Sequence, residues 1–158
     1  MSTANTLREQ IADFQAAYIR CIDTDQLEAW PEFFVSDCLY SVTTLENHRQ
    51  GLPAGLIWAN SQAMLRDRVS ALRHANIYER QSYRHIIGQT SIVSGTEDAL
   101  RTETPFMVAR IMHDGTTDLY STGVYHDEFA QGVSPLRLRR RIVVCDSSRI
   151  DTLLALPL

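Results

Sequence analysis

The apolar side chains Leu7, Ile11, Phe14, Tyr18 and Ile22 recur at helical spacing along residues 6 to 22, with polar residues between them. That stripe predicts an amphipathic helix with one buried face. The run TLRE, Thr6 to Glu9, has the form of a capping box at its start. Asp25 and Glu28 repeat the capping pattern before a short second helix carrying Leu27 and Trp30, which Pro31 interrupts or restarts ahead of Phe33 and Phe34. From Cys38 to Thr44, Tyr40 and Val42 alternate with Ser41 and Thr43 as in a half-buried strand. After a polar loop, Asn60 or Ser61 can cap a third helix through Met64, Leu65, Val69 and Leu72, ending near His74 to Asn76.

The pattern then changes to alternation. SYRHIIGQTSIV, ETPFMVARIM, TDLYSTGVYHDEF and LRLRRRIVVC read as four long strands, joined around Ser94-Gly95, Asp114-Gly115 and Gly132 to Pro135. Helices followed by an antiparallel meander predict an α+β fold, with the helices against one face of a curved sheet. In PFMVARIM, Phe106 and Val108 fall on one side and Met107, Ala109 and Ile111 on the other, while Ile142 and Val144 oppose Val143 and Cys145. Apolar residues on both faces predict that both are covered, and another chain could supply the second cover. The apolar DTLLALPL, ending at Leu158, is expected either to dock on its own sheet edge or to be hidden by a partner.

At 158 residues the chain fits one domain, 1–158, and 44% apolar with 22% charged residues is ordinary globular composition. A net charge of -4 disfavours a general nucleic-acid binder, although the run Arg137, Arg139, Arg140, Arg141 could meet an acidic surface. All 15 basic side chains are arginine, a residue suited to bidentate pairing with carboxylates at interfaces. MSTANTLREQ has no apolar signal core, and no apolar run approaches the roughly 20 residues of a membrane helix. The expected location is cytoplasmic, with no membrane partner. Cys21, Cys38 and Cys145 form neither a CxxC pair nor a disulfide framework and are expected to be reduced core residues.

The histidines at 48, 74, 85, 113 and 126 are scattered, and the sequence has no HExxH, no GxSxG elbow and no GxxxxGK[ST] loop. No metal or cofactor site is therefore expected in this chain. The stretch DQLEAWPEFFVSDCLYSV, residues 25 to 42, places Trp30, Phe33, Phe34 and Tyr40 beside acids. Two readings are open. A cone of helices and curved sheet can enclose a pocket where Asp23, Tyr40, Tyr83 and His85, with Tyr18 from the first helix, bind a small ligand or do the acid-base work of a lyase or isomerase. Alternatively, the aromatics simply fill the cone, and His85 is a hydrogen-bonded structural histidine.

Four segments carry a resemblance across nearly the whole chain: IDTDQLEAWPEFFVSDCLYSV after the first helix, SYRHIIG opening the sheet, PFMVARIMHDGTTDLYSTGVYHDEF in its middle, and LRLRRRIVVCDSSRIDTLLALPL at the end. In these the chain resembles the small, or beta, subunits of aromatic-ring-hydroxylating dioxygenases. The resemblance implies a nuclear-transport-factor-2-like (NTF2-like), or cystatin-like, α+β cone. It implies assembly with a large subunit into an α3β3 hexamer, with contacts among the small subunits, and a reductase passing electrons from NADH. It further implies that the large subunit carries the Rieske [2Fe-2S] centre and the mononuclear Fe(II), and adds both atoms of O2 across an aromatic ring to give a cis-diol. The chain has no Cys-x-His or Cys-x-x-His pair of the Rieske kind. A structural role follows, with the expected subunit interface on the sheet face bearing Arg84, Arg110, Arg139 and Arg141, and at Leu156, Pro157 and Leu158.

Overall fold

The computed structural model describes residues 3–53, 55–74, 78–95, 99–149 and 154–158, with side chains from Thr6 onwards. Helix α1, Thr3–Asp23, buries Ile11, Phe14, Tyr18 and Ile22 along the predicted stripe. It starts ahead of Thr6, so that residue lies inside the helix and does not cap it. After α1 the chain turns through Asp25, whose φ of 58 lies in the left-handed region that aspartate tolerates better than most residues. Asp25 therefore does not cap the next element. That element is a 3₁₀-helix, Leu27–Phe33, with Gln26 at its N-cap position making no side-chain cap bond. Asp25 and Glu28 instead accept hydrogen bonds from Arg73 at 2.9 and 2.7 Å. The bond from Arg73 is the main cause holding the exposed Glu28 carboxyl below its usual range.

Phe34 opens strand β1, Phe34–Thr44, which begins earlier than the alternation from Cys38 implies. The short α2, Leu45–Arg49, is capped by Thr44, whose Oγ1 accepts from the Asn47 N–H at 3.2 Å. Strand β2, Ile57–Ala59, precedes α3, Gln62–His74. Ser61 caps α3 by accepting from the Met64 N–H at 3.2 Å. Leu65, Val69 and Leu72 face inward, whereas Met64 remains 41% exposed.

The remaining strands are β3, Gln81–Ile87; β4, Ser91–Gly95; β5, Leu100–Met112; β6, Thr117–Phe129; and β7, Leu138–Cys145. The expected single strand over 82–93 is two strands. Both pair antiparallel with β5, at its far and near ends, with Gly88–Thr90 between them. Gly88 donates its N–H to the Pro105 carbonyl at 2.8 Å, where any Cβ would strike the proline ring. The sheet order is β2-β1-β7-β6-β5-β3, with β4 also on β5, and β1 runs parallel to β7 while its other pairs are antiparallel. At the β5–β6 hairpin, Gly115 takes φ 88 and Asp114 accepts from the Thr116 N–H at 2.9 Å.

The core lies between the inner sheet face and the layer of α1, the 3₁₀-helix and α3. The architecture is thus the α+β cone that the pattern and the resemblance imply. The outer face is only partly covered. Thr43 and Val144 are buried near α2, but Ile86, Met107 and Leu119 are 60%, 40% and 62% exposed. Ile86 pairs with Met107, and Ala109, on the Met107 side of β5, pairs with Leu119, so these residues form one apolar stripe across β3, β5 and β6. Among the described residues, no helix is long and apolar enough to cross a membrane.

Candidate functional site: the interior of the cone

Two polar clusters occupy the buried interior. In the first, the last residue of α1 meets β3: Asp23 Oδ1 lies 2.6 Å from His85 Nδ1, and Asp23 Oδ2 accepts from the His85 backbone N–H at 2.9 Å. Both side chains are almost wholly buried. With a carboxylate at Nδ1, that nitrogen is the ring's donor to Asp23. Nε2 has no hydrogen-bond partner among the described residues. Tyr83 stands edge-on to the imidazole, 6.0 Å between centroids, and packs against Tyr120.

The second cluster is built around Arg141, which is 0% exposed. Its Nε and Nη2 donate to the two oxygens of Asp127, each at 2.7 Å, and Nη2 also donates to Gln15 Oε1 at 2.6 Å. Gln15 returns a bond from Nε2 to Asp127 Oδ2 at 2.9 Å. The guanidinium carbon lies 4.1 Å from the ring centroids of both Tyr18 and Tyr125. Burial opposes the charge on Arg141, but the adjacent Asp127 carboxylate outweighs it and holds the group protonated above its ordinary range. Burial pushes the Tyr18, Tyr40 and Tyr125 hydroxyls upward, so all three stay neutral, while the Tyr125 hydroxyl has no hydrogen-bond partner among the described residues.

Tyr18 and Tyr40 meet through the chain's own residues 154–158. Trp30 Nε1 donates to the Tyr18 hydroxyl at 3.0 Å, and the Tyr18 and Tyr40 hydroxyls donate to the Leu158 carbonyl at 3.2 and 3.1 Å. All five candidate pocket residues are thus inside, with His85 paired to Asp23 and flanked by Tyr83, and Tyr18 joined to Tyr40. Three of the four aromatics of residues 25 to 42 are core, Trp30, Phe34 and Tyr40, each 0% exposed and packed edge to face, while Phe33 is partly buried. A cavity of about 400 Å³ reaches the edge of the dyad, lined by Ile22, Asp23, Ser82 and Leu156 among others. A larger groove, about 810 Å³, lies elsewhere, between α1, the 3₁₀-helix and the β6–β7 loop.

The expected interface set does not lie on one face. Arg141 points inward, because the β6–β7 ladder shifts register between Glu128 and Phe129. Leu138 and Arg141 are buried while Arg139 and Arg140 between them are both exposed, so the bulge breaks strict alternation. Ala155, Leu156, Pro157 and Leu158 are buried within this chain. Arg110 is opposite Tyr83 on the inner side, 4.6 Å from the Tyr120 ring centroid and paired with Asp118. Arg84 is on the outer face, and Arg139 lies exposed, 3.5 Å from Asp37. Gln15, Tyr125 and Asp127 were not picked out by sequence pattern. The available signal was a glutamine at the spacing of Ile11 and Tyr18, within the apolar stripe itself.

Among the described residues, no group of three or more His, Cys, Asp or Glu is placed to hold a metal ion. The cysteines are free and buried, and burial pushes the Cys21 and Cys38 thiols up to about 11, leaving them protonated at neutral pH.

The model of the SnoaL-like domain matches residues 4–142, which defines the class of cone to which the chain belongs. A terminal oxygenase subunit, beta 2 of terephthalate 1,2-dioxygenase from Comamonas sp, is 56% identical over 94% of this chain and 97% of its own length. The small subunit of anthranilate 1,2-dioxygenase from Burkholderia cepacia is 40% identical over 94% of this chain and 92% of its own. A crystal structure of a beta subunit assigned to an aromatic-ring-hydroxylating dioxygenase from Novosphingobium aromaticivorans superposes with a TM-score of 0.91. It is 41% identical and covers 99% of this chain and 100% of that one. The chain belongs to the beta subunits of aromatic-ring-hydroxylating dioxygenases.

Proposed function

We propose that this chain is the structural beta subunit of a terephthalate 1,2-dioxygenase, supporting cis-dihydroxylation that takes place in a large subunit. The observation that carries the reading is the 56% identity with the Comamonas subunits across 94% of the chain. The large subunit holds the Rieske [2Fe-2S] centre and mononuclear Fe(II), receives electrons from NADH through a reductase, and joins this chain in a cytoplasmic α3β3 hexamer. The exposed stripe of Ile86, Met107 and Leu119 supports a partner there, since a contiguous exposed apolar band on a sheet face is a usual mark of an interface. Arg84 beside it, with 69% side-chain exposure, can pair with a partner carboxylate.

Native mass spectrometry of the material that co-purifies with this chain tests the assembly. Six chains, half of them a larger iron-bearing subunit, are expected, and Leu119→Asp should reduce the hexamer while leaving the circular dichroism of this subunit unchanged. A lone monomer or homo-oligomer would overturn the proposal.

A second reading, a freestanding lyase, isomerase or ligand-binding protein, draws on His85 Nε2, beside Asp23 and with no hydrogen-bond partner among the described residues. It separates cleanly from the first. In the assembled complex, His85→Ala is expected to keep dioxygenase activity within a few-fold of the unmodified enzyme, at unchanged iron content. A loss of several orders of magnitude in an intact hexamer would assign His85 a catalytic part.

A further inference from the structure

Residues 154–158 enter the cone as a bound ligand would. Ala155, Leu156 and Leu158 are 6%, 6% and 0% exposed. The segment belongs to no strand or helix, and with the described residues it makes no backbone-to-backbone hydrogen bond. Side chains from three elements hold it. Tyr18 of α1 and Tyr40 of β1 direct their hydroxyls at the Leu158 carbonyl, the Leu158 N–H donates to the Tyr40 oxygen at 3.2 Å, and Arg68 of α3 donates to the Leu154 carbonyl at 2.9 Å.

The clamp on the Leu158 oxygen is fixed from behind. Trp30 donates to the Tyr18 oxygen, which leaves the Tyr18 hydrogen to point at the carbonyl. Around it stand the rings of Trp30, Phe34, Tyr40 and Tyr125. Without the segment, the Tyr18 and Tyr40 hydroxyls would face a largely aromatic chamber without the acceptor that Leu158 supplies, a state that favours any molecule able to supply one. Leu156 shares the wall of the cavity at Asp23, so the chamber adjoins the Asp23–His85 pair.

The geometry points to a ligand site in the space that residues 154–158 fill, for a small apolar molecule bearing one carbonyl oxygen, with the chain's own segment as its resident occupant. The recognised chemistry is that of the Leu158 unit itself: a branched or cyclic hydrocarbon body in the aromatic chamber and one oxygen between Tyr18 and Tyr40. An acid and an amide both supply this oxygen, and they differ in the group beside it, a second, anionic acceptor oxygen in the one and a neutral NH2 donor in the other. This site is independent of the assembly proposed above.

The test lets the chain fold intact and only then frees the segment. A protease recognition sequence is inserted after Ser148, an exposed position, and Trp58→Phe leaves Trp30 as the sole indole reporter. After cutting, the body is expected to remain folded and to exchange its segment for a labelled LALPL peptide, saturably, while the uncut chain takes up at least tenfold less. In the cut protein, 4-methylpentanoate or 4-methylpentanamide should displace the peptide and shift Trp30 emission, and whichever acts identifies the charge state the site accepts. Tyr18→Phe with Tyr40→Phe should weaken the peptide at least tenfold. Unfolding on cutting would show the segment to be ordinary core and overturn the proposal. So would a folded body that does not rebind the peptide, a peptide that neither small molecule displaces, or binding unchanged by the double replacement.

Discussion

Replacing Arg141 with alanine is expected to destabilise the fold by about 3–5 kcal/mol, read as a lower urea midpoint at unchanged slope. The expected size follows from what remains. Asp127 would be left at 4% exposure with, among the described residues, only the Gln15 side-chain amide still donating to its carboxyl, and Gln15 Oε1 would lose its donor. The rings of Tyr18 and Tyr125 would also lose the cation that lies over both. Replacing both partners of the ion pair, Arg141→Met with Asp127→Leu, should recover most of that loss, because the penalty lies chiefly in a buried charge left alone. A double replacement no more stable than Arg141→Ala would show that shape, and not charge, dominates the site.

Trp30→Ala should be comparably damaging, at about 3–5 kcal/mol, the range for removing a large aromatic from a packed core. Trp30 is 0% exposed and packs edge to face on Phe34 and Tyr40 at 5.8 and 5.1 Å. Its indole N–H also sets the direction of the Tyr18 hydroxyl. Trp30→Phe, which keeps a ring but loses the donor, should cost distinctly less in the same urea titration. Equal losses would assign the whole effect to the hydrogen bond. Both experiments probe the interior that a structural subunit must keep rigid if its outer face is to present a fixed surface to neighbours.

Much of this architecture is legible along the chain. The stripe from Ile11 to Ile22 marks α1 because helical periodicity is a local property, and Asp114-Gly115 marks the β5–β6 hairpin because a positive φ is a local demand. The break at Gly88 is not legible in the same way. The apolar and β-branched residues continue across it, and what divides β3 from β4 is the close approach of Pro105 on the neighbouring strand. The candidate site shows the same division. Asp23, His85, Tyr18, Tyr40 and Tyr83 could be named as pocket residues from their types and positions, but their partners could not.

The sequence by itself determined the long elements α1, α3, β5, β6 and β7, the α+β class and a composition with no pattern for phosphate, acyl or Rieske chemistry, since each depends on neighbours a few residues apart. Tertiary structure decided which way Arg141 points and what fills the cone. Arg141 turns inward because a bulge, set by pairing with β6, exposes both Arg139 and Arg140 ahead of it. The Tyr18 clamp on Leu158 joins residues separated by 140 positions, and no periodicity reports a contact that exists only once helix, sheet and segment have closed on one another.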